Sequence, residues 1–109
     1  MAKILIIDDE RAIRNTLKEI LEFEGYIIEV AENGRIGLER ALSNSFDLIF
    51  SDIKMPEMDG MEFLRAYREG IVQHGEEAPV VMITGHGSVD SAVDALKAGA
   101  FDFIQKPLD

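Results

Sequence analysis

Five short apolar runs alternate along this chain with stretches whose apolar residues recur every three or four positions. The runs are Lys3 to Ile7, Tyr26 to Ala31, Leu48-Ile49-Phe50, Val80-Val81-Met82-Ile83 and Ala100 to Gln105. Their length and β-branched content suit strands buried on both faces. Between them, Ile13, Leu17, Ile20 and Leu21 share one helical face that stops at Gly25, and Ile36, Leu38, Ala41 and Leu42 mark a second that ends near Ser43-Asn44. A third runs from about Gly60 to Gly70 with Met61, Leu64, Ala66 and Tyr67 apolar. The fourth carries Val89, Ala92, Val93 and Leu96, with Ser88 placed to cap it and Gly99 just past its end. Ile71 to Ala78, which holds Gly75 and two acids, reads as the least structured segment. Strands that alternate with helices form right-handed βαβ units and a parallel sheet covered on both faces. The predicted fold is therefore α/β, a doubly wound five-stranded parallel sheet in one domain over residues 1–109.

A chain of 109 residues, 47% of them apolar and 29% charged, can bury a core of its own. Its net charge of -10 opposes direct binding to nucleic acid, whose phosphates would repel it. With no cysteine, it has no disulfide framework, thiol nucleophile or cysteine-ligated zinc, which suits a reducing compartment. The run Ile4-Leu5-Ile6-Ile7 is too short for a signal peptide or a membrane span. These features point to a soluble cytoplasmic domain.

The strand ends carry the chemistry. Strand one stops at Asp8-Asp9, strand three at Asp52, strand four at Thr84, and strand five runs into Lys106. A carboxylate at the carboxyl end of a buried strand does not fill a core, and in open parallel sheets that edge is where ligands gather. With strand one central, three carboxylates would face one hydroxyl and one ammonium. Crowded carboxylates raise one another's pKa unless a cation neutralises them. Oxygen donors without His or Cys select a hard ion, above all Mg²⁺, which commonly bridges carboxylate to phosphate. Taken singly, each residue has an ordinary reading. Asp8 and Asp9 could serve a helix N-terminus, Asp52 a turn, Thr84 a strand and Lys106 a solvated loop. Their convergence on one edge favours phosphoryl chemistry.

Asp8-Asp9, Asp52 followed by Met55-Pro56 and Asp59-Gly60, Thr84-Gly85 and Lys106-Pro107 occur in that order. In this the chain resembles the CheY-like receiver domain of bacterial two-component response regulators. The run Thr84-Gly85-His86-Gly87-Ser88, with Ala98-Gly99-Ala100-Phe101-Asp102-Phe103, is most similar to the N-terminal receivers of NtrC-type transcription activators. The resemblance implies that Asp52 accepts a phosphoryl group from the phosphohistidine of a sensor histidine kinase. It implies a Mg²⁺ held by Asp9 and Asp52, by Asp8 mostly through water, and by the backbone carbonyl of Lys54. Lys106 would pair with one phosphoryl oxygen and the Thr84 hydroxyl with another, and Phe103 would be the aromatic switch that follows Thr84. The side chains of Lys54 and His86 fall where the family gates water.

Such a domain is a switch that catalyses only its own phosphorylation and dephosphorylation, and it works through an attached output domain or a homodimer. Receivers continue past Lys-Pro into a fifth helix, whereas this sequence stops at Leu108-Asp109. The expectation is thus an N-terminal fragment of a longer regulator, lacking the final helix and exposing apolar side chains on one face of strands four and five. Two other readings share parts of the pattern. A haloacid-dehalogenase-type phosphatase needs a second acid two residues after its nucleophile, where Lys54 stands. A flavodoxin-like FMN carrier needs a Ser/Thr/Gly-rich phosphate loop after strand one, where Asp8-Asp9 would repel the phosphate.

Overall fold

The computed structural model describes residues 1–71, 76–85 and 89–107. In chain order the elements are β1 (Lys3–Ile7), α1 (Arg11–Phe23), β2 (Ile27–Ala31), α2 (Gly34–Ser43), β3 (Leu48–Asp52), α3 (Gly60–Ile71), β4 (Val80–Thr84), α4 (Val89–Ala98) and β5 (Asp102–Gln105). The five strands form one parallel sheet in the order β2-β1-β3-β4-β5. The middle strand is β3, with β1 beside it, so strand one is interior but not central. The chain leaves β1 for β2 on one side and returns to β3 on the other, which opens a crevice between the carboxyl ends of β1 and β3.

Helices lie on both faces of the sheet, which is why the inner strands read as apolar runs. On one face Leu5, Ile7, Ile49, Val80 and Met82 pack with Ala41 of α2, Phe63, Leu64 and Tyr67 of α3, and Ala92 and Ala95 of α4. On the other, Ile4, Ile6, Ile28 and Ile83 pack with Leu17 of α1. Phe63 and Tyr67 stack with ring centroids 5.7 Å apart, and the Tyr67 hydroxyl accepts a 2.8 Å hydrogen bond from the Ala78 N–H. Ile20, expected on the buried face of α1, is 50% exposed. It lies about 60° around the helix from Leu17, at the margin of the contact.

Element ends moved by a residue or two for local reasons. Gly99 has φ +115° and Ala100 N–H closes back on the carbonyl of Ala95, so α4 uses residues that the apolar pattern assigned to strand five. Strand two likewise begins at Ile27 rather than Tyr26, whose N–H still bonds to Leu21 of α1. Helix α3 runs one residue beyond Gly70, which leaves room for the side chain of Leu42 from α2. Of the segment read as least structured, Ile71 belongs to α3, and residues 76–79 lie outside helix and strand. The Ser88 cap, His86 and Leu108-Asp109 lie outside the described residues. On the α1 side of the sheet, Ile83 of β4 is fully buried, whereas Val81 of β4 is only partly buried and Ile104 of β5 is 38% exposed. Among the described residues no helix is long and apolar enough to cross a membrane.

Candidate functional site

Parallel register places the acids. Ile7 of β1 lies opposite Ser51 of β3, so the next residue of each strand, Asp8 and Asp52, meet at the crevice. Asp8 is fully buried and Asp52 is 5% exposed. Each carboxylate has one oxygen pinned by a following backbone N–H: Asp8 Oδ1 accepts from Glu10 and Asp52 Oδ1 from Ile53, both at 2.8 Å. The second oxygens are left facing the crevice. Lys106, at the end of β5, extends that strand's ladder through its N–H to the Thr84 carbonyl at 2.7 Å. Its Nζ lies 3.3 Å from Asp8 Oδ2 and 3.5 Å from Asp52 Oδ2. The contact with Asp8 is an ion contact without a directed hydrogen bond, so Asp8 Oδ2 is a buried acceptor without a hydrogen-bonded partner.

Lys106 makes its shortest contact, 2.6 Å, to Glu10 Oε1. In the sequence nothing sets Glu10 apart, since it is merely the third acid in a row. It occupies the N-cap position of α1 but makes no side-chain cap bond, so its carboxylate is free to turn towards the lysine. Asp8, Asp9, Glu10 and Asp52 each present one oxygen within 4.8 Å of the others.

Burial pushes Asp52 up to about 7, and the charge of Asp8 adds to that rise; Lys106 and the Ile53 N–H oppose it without cancelling it. Asp8 is also raised, chiefly by burial. For Lys106, burial works against the charged form, but the Glu10 hydrogen bond and the charges of Asp8 and Asp52 overcome it and hold the ammonium above its usual range. The cluster is thus short of positive charge. Its orphan buried oxygen and all-carboxylate donor set fit a small hard cation that keeps part of its water shell.

The loop after Asp52 explains the Asp59-Gly60 signature. Asp59 Oδ1 accepts from Glu62 N–H at 2.8 Å while Glu62 Oε1 accepts from Asp59 N–H at 3.2 Å, a reciprocal cap that starts α3. A Cβ on Gly60 would run into the carbonyl oxygen of Asp52, so only glycine lets α3 start against the strand end. Lys54 has an exposed side chain and borders an open cleft of about 510 Å³, which Asp9 and Ser91 also line.

Thr84 is fully buried at the end of β4, its hydroxyl donating to the Ile104 carbonyl over a long 3.5 Å. Phe103 pairs in register with Met82, two residues before Thr84, and is partly buried against the core face that α4 covers. The structure therefore brings Asp8, Asp9, Asp52 and Lys106 together, sets Thr84 on the adjoining strand end, and leaves Phe103 further down the sheet.

The model of the response regulator receiver domain family matches residues 4–109. The chain belongs to that family. The receiver is 42% identical over 106 residues to the transcriptional regulatory protein ZraR of Klebsiella oxytoca, a match covering 97% of this chain and 23% of that protein. It is 38% identical over 105 residues to the response regulator MprA of Mycolicibacterium vanbaalenii, covering 96% of this chain and 44% of that one. A receiver domain protein from Clostridium thermocellum has the same fold with a TM-score of 0.89 at 39% identity, over 100% of this chain and 85% of that one. The receiver thus spans less than half the length of these two curated relatives. The match to ZraR agrees with the NtrC-type likeness of its sequence. The phosphatase and flavin-carrier readings find no support in these matches.

Proposed function

We propose that Asp52 is the phosphoacceptor of this two-component receiver and that a sensor histidine kinase is its donor. The observation that carries this reading is the carboxylate pair of Asp8 and Asp52 with Lys106 against both free oxygens. Asp52 Oδ1 is fixed by the Ile53 N–H, which leaves the other oxygen to attack phosphorus. The P–N bond of the phosphohistidine breaks as the new P–O bond forms, and its electron pair stays on the imidazole, which takes up a proton. Lys106 can follow the charge that arrives on the phosphoryl oxygens, and the loosely held Thr84 hydroxyl can turn to another. Asp9, Asp52 and the Lys54 carbonyl would hold Mg²⁺, with Asp8 acting through water. Bound there, Mg²⁺ supplies the positive charge that keeps Asp52 ionised and offsets charge on the phosphoryl group.

The domain acts as a switch, not as a turnover enzyme, since Lys54 stands where an aspartate phosphatase needs its general acid. The change passes from Thr84 towards Phe103 and the face of α4 and β5, and from there to an attached output domain or a second receiver. Mass spectrometry after treatment with acetyl phosphate and Mg²⁺ tests the reading. One alkali-labile phosphoryl group per chain is expected in wild type and none in Asp52→Asn. An equally labelled variant would move the site elsewhere.

A further inference from the structure

The loop between Asp52 and α3 contains one strained residue. Glu57 has φ +68°, a conformation that a side chain other than glycine's enters only when its surroundings require it. Its carboxylate accepts a 2.8 Å hydrogen bond from Asn33 Nδ2. Asn33, only 7% exposed, is also the N-cap of α2, where its Oδ1 accepts from the Ile36 N–H at 2.8 Å. One side-chain amide thus does two things: its oxygen caps a helix and its nitrogen tethers the loop. Contact between the two elements is close, because a Cβ on Gly34 would run into the carbonyl oxygen of Met58. At the far end of the loop, Gly60 abuts the carbonyl of Asp52. Lys54 lies between Asp52, which Gly60 abuts, and Glu57, which Asn33 holds.

We propose that the Asn33–Glu57 pair is a positioning device for the acid site. By setting the course of the loop, it sets where the Lys54 carbonyl stands relative to Asp9 and Asp52, and so tunes Mg²⁺ affinity. The proposal rests on the reading above that these three groups hold the ion. Capping alone does not call for Asn33, since Asp or Ser serves as well. What Asn adds is the NH₂ donor, and in this protein that donor is spent on Glu57.

Asn33→Asp separates the two roles. It keeps an acceptor for the Ile36 N–H but replaces the donor with a carboxylate facing Glu57. Calorimetric titration of the unphosphorylated receiver with Mg²⁺ should show about a tenfold loss of affinity, the usual scale for removing a partner that orients a metal ligand. The double variant Asn33→Asp with Glu57→Gln restores one donor and one acceptor in reversed order and has the wild-type net charge. It should recover most of the lost affinity. Backbone amide shifts of residues 53–58 in cation-free protein should move in the single variant and return in the double one.

Two outcomes overturn the proposal while leaving the ion site intact. One is wild-type affinity in Asn33→Asp, and the other is a loss that the double variant does not recover. Asp9→Ala, titrated alongside, identifies the third case. If it binds Mg²⁺ as wild type does, or if wild type binds none, the ion site itself is elsewhere and the positioning role falls with it.

Discussion

Replacing Asp52 with asparagine should make the cation-free receiver more stable at pH 8. Asp52 is 5% exposed, and burial with the Asp8 charge raises its pKa from 3.8 to about 7. A rise of about three units corresponds to about 4 kcal/mol of destabilisation once the group is ionised in both folded and unfolded chains. Asparagine has nearly the same volume and keeps an acceptor for the Ile53 N–H. It also turns an NH₂ towards Lys106, and an unsatisfied donor there gives back about 1–2 kcal/mol. The net gain expected is about 2–3 kcal/mol.

The pH dependence distinguishes this cause from a packing effect. As pH falls below about 7 the folded chain takes up a proton on Asp52, while the unfolded chain does so only near 3.8. The native state then binds more protons than the unfolded one, so wild-type stability rises by about 1.4 kcal/mol per unit of acidification across that window. Asp8, raised by the same burial, shifts stability in the same direction. The advantage of Asp52→Asn should therefore be flat above about pH 7 and shrink steadily from there towards pH 4. Urea melts at several pH values in the presence of a chelator would measure it. A variant no more stable than wild type at pH 8, or a gain that persists unchanged to pH 5, would refute the reasoning.

Other perturbations read out neighbouring parts of the site. Saturating wild type with Mg²⁺ at a hundred times its Kd should add about 2.7 kcal/mol of stability, and Asp9→Ala should lose most of that increment in thermal melts. Glu10→Gln frees Lys106 from its shortest partner; an exposed pair is worth about 0.2–1 kcal/mol, so labelling by acetyl phosphate should quicken by up to about fivefold, and a slower variant would assign Glu10 a supporting role. Thr84→Ala should still accept phosphate but show smaller shift changes around Phe103 on phosphorylation; equal changes would exclude Thr84 as the link. Gly60→Ala forces a methyl against the Asp52 carbonyl and should cost about 1–3 kcal/mol in denaturant melts.

Periodicity and strand-end chemistry determined a great deal by themselves. Runs such as Val80 to Ile83 have one reading in a doubly covered parallel sheet, because both faces of each strand must be apolar. Asp8 and Asp52 were legible because a charged residue at the end of a buried run has no packing reason to be there, and Asp9 and Lys106 because the parallel strands bring their ends to the same edge. What the pattern could not decide is anything that depends on neighbours distant in sequence. Which strand is central, the half-exposure of Ile20 and the two-residue delay of β5 follow from how helices settle on the sheet. Glu10 illustrates the limit. Ninety-six positions separate it from Lys106, and nothing local distinguishes it from any other acid at the start of a helix. The same holds for Asn33, whose capping oxygen is a local matter while its amide nitrogen meets Glu57 only because α2 packs against the loop after β3. Local sequence governs which backbone conformations and caps are available; the partner of a given side chain depends on the three-dimensional register of elements that each bury their own apolar face.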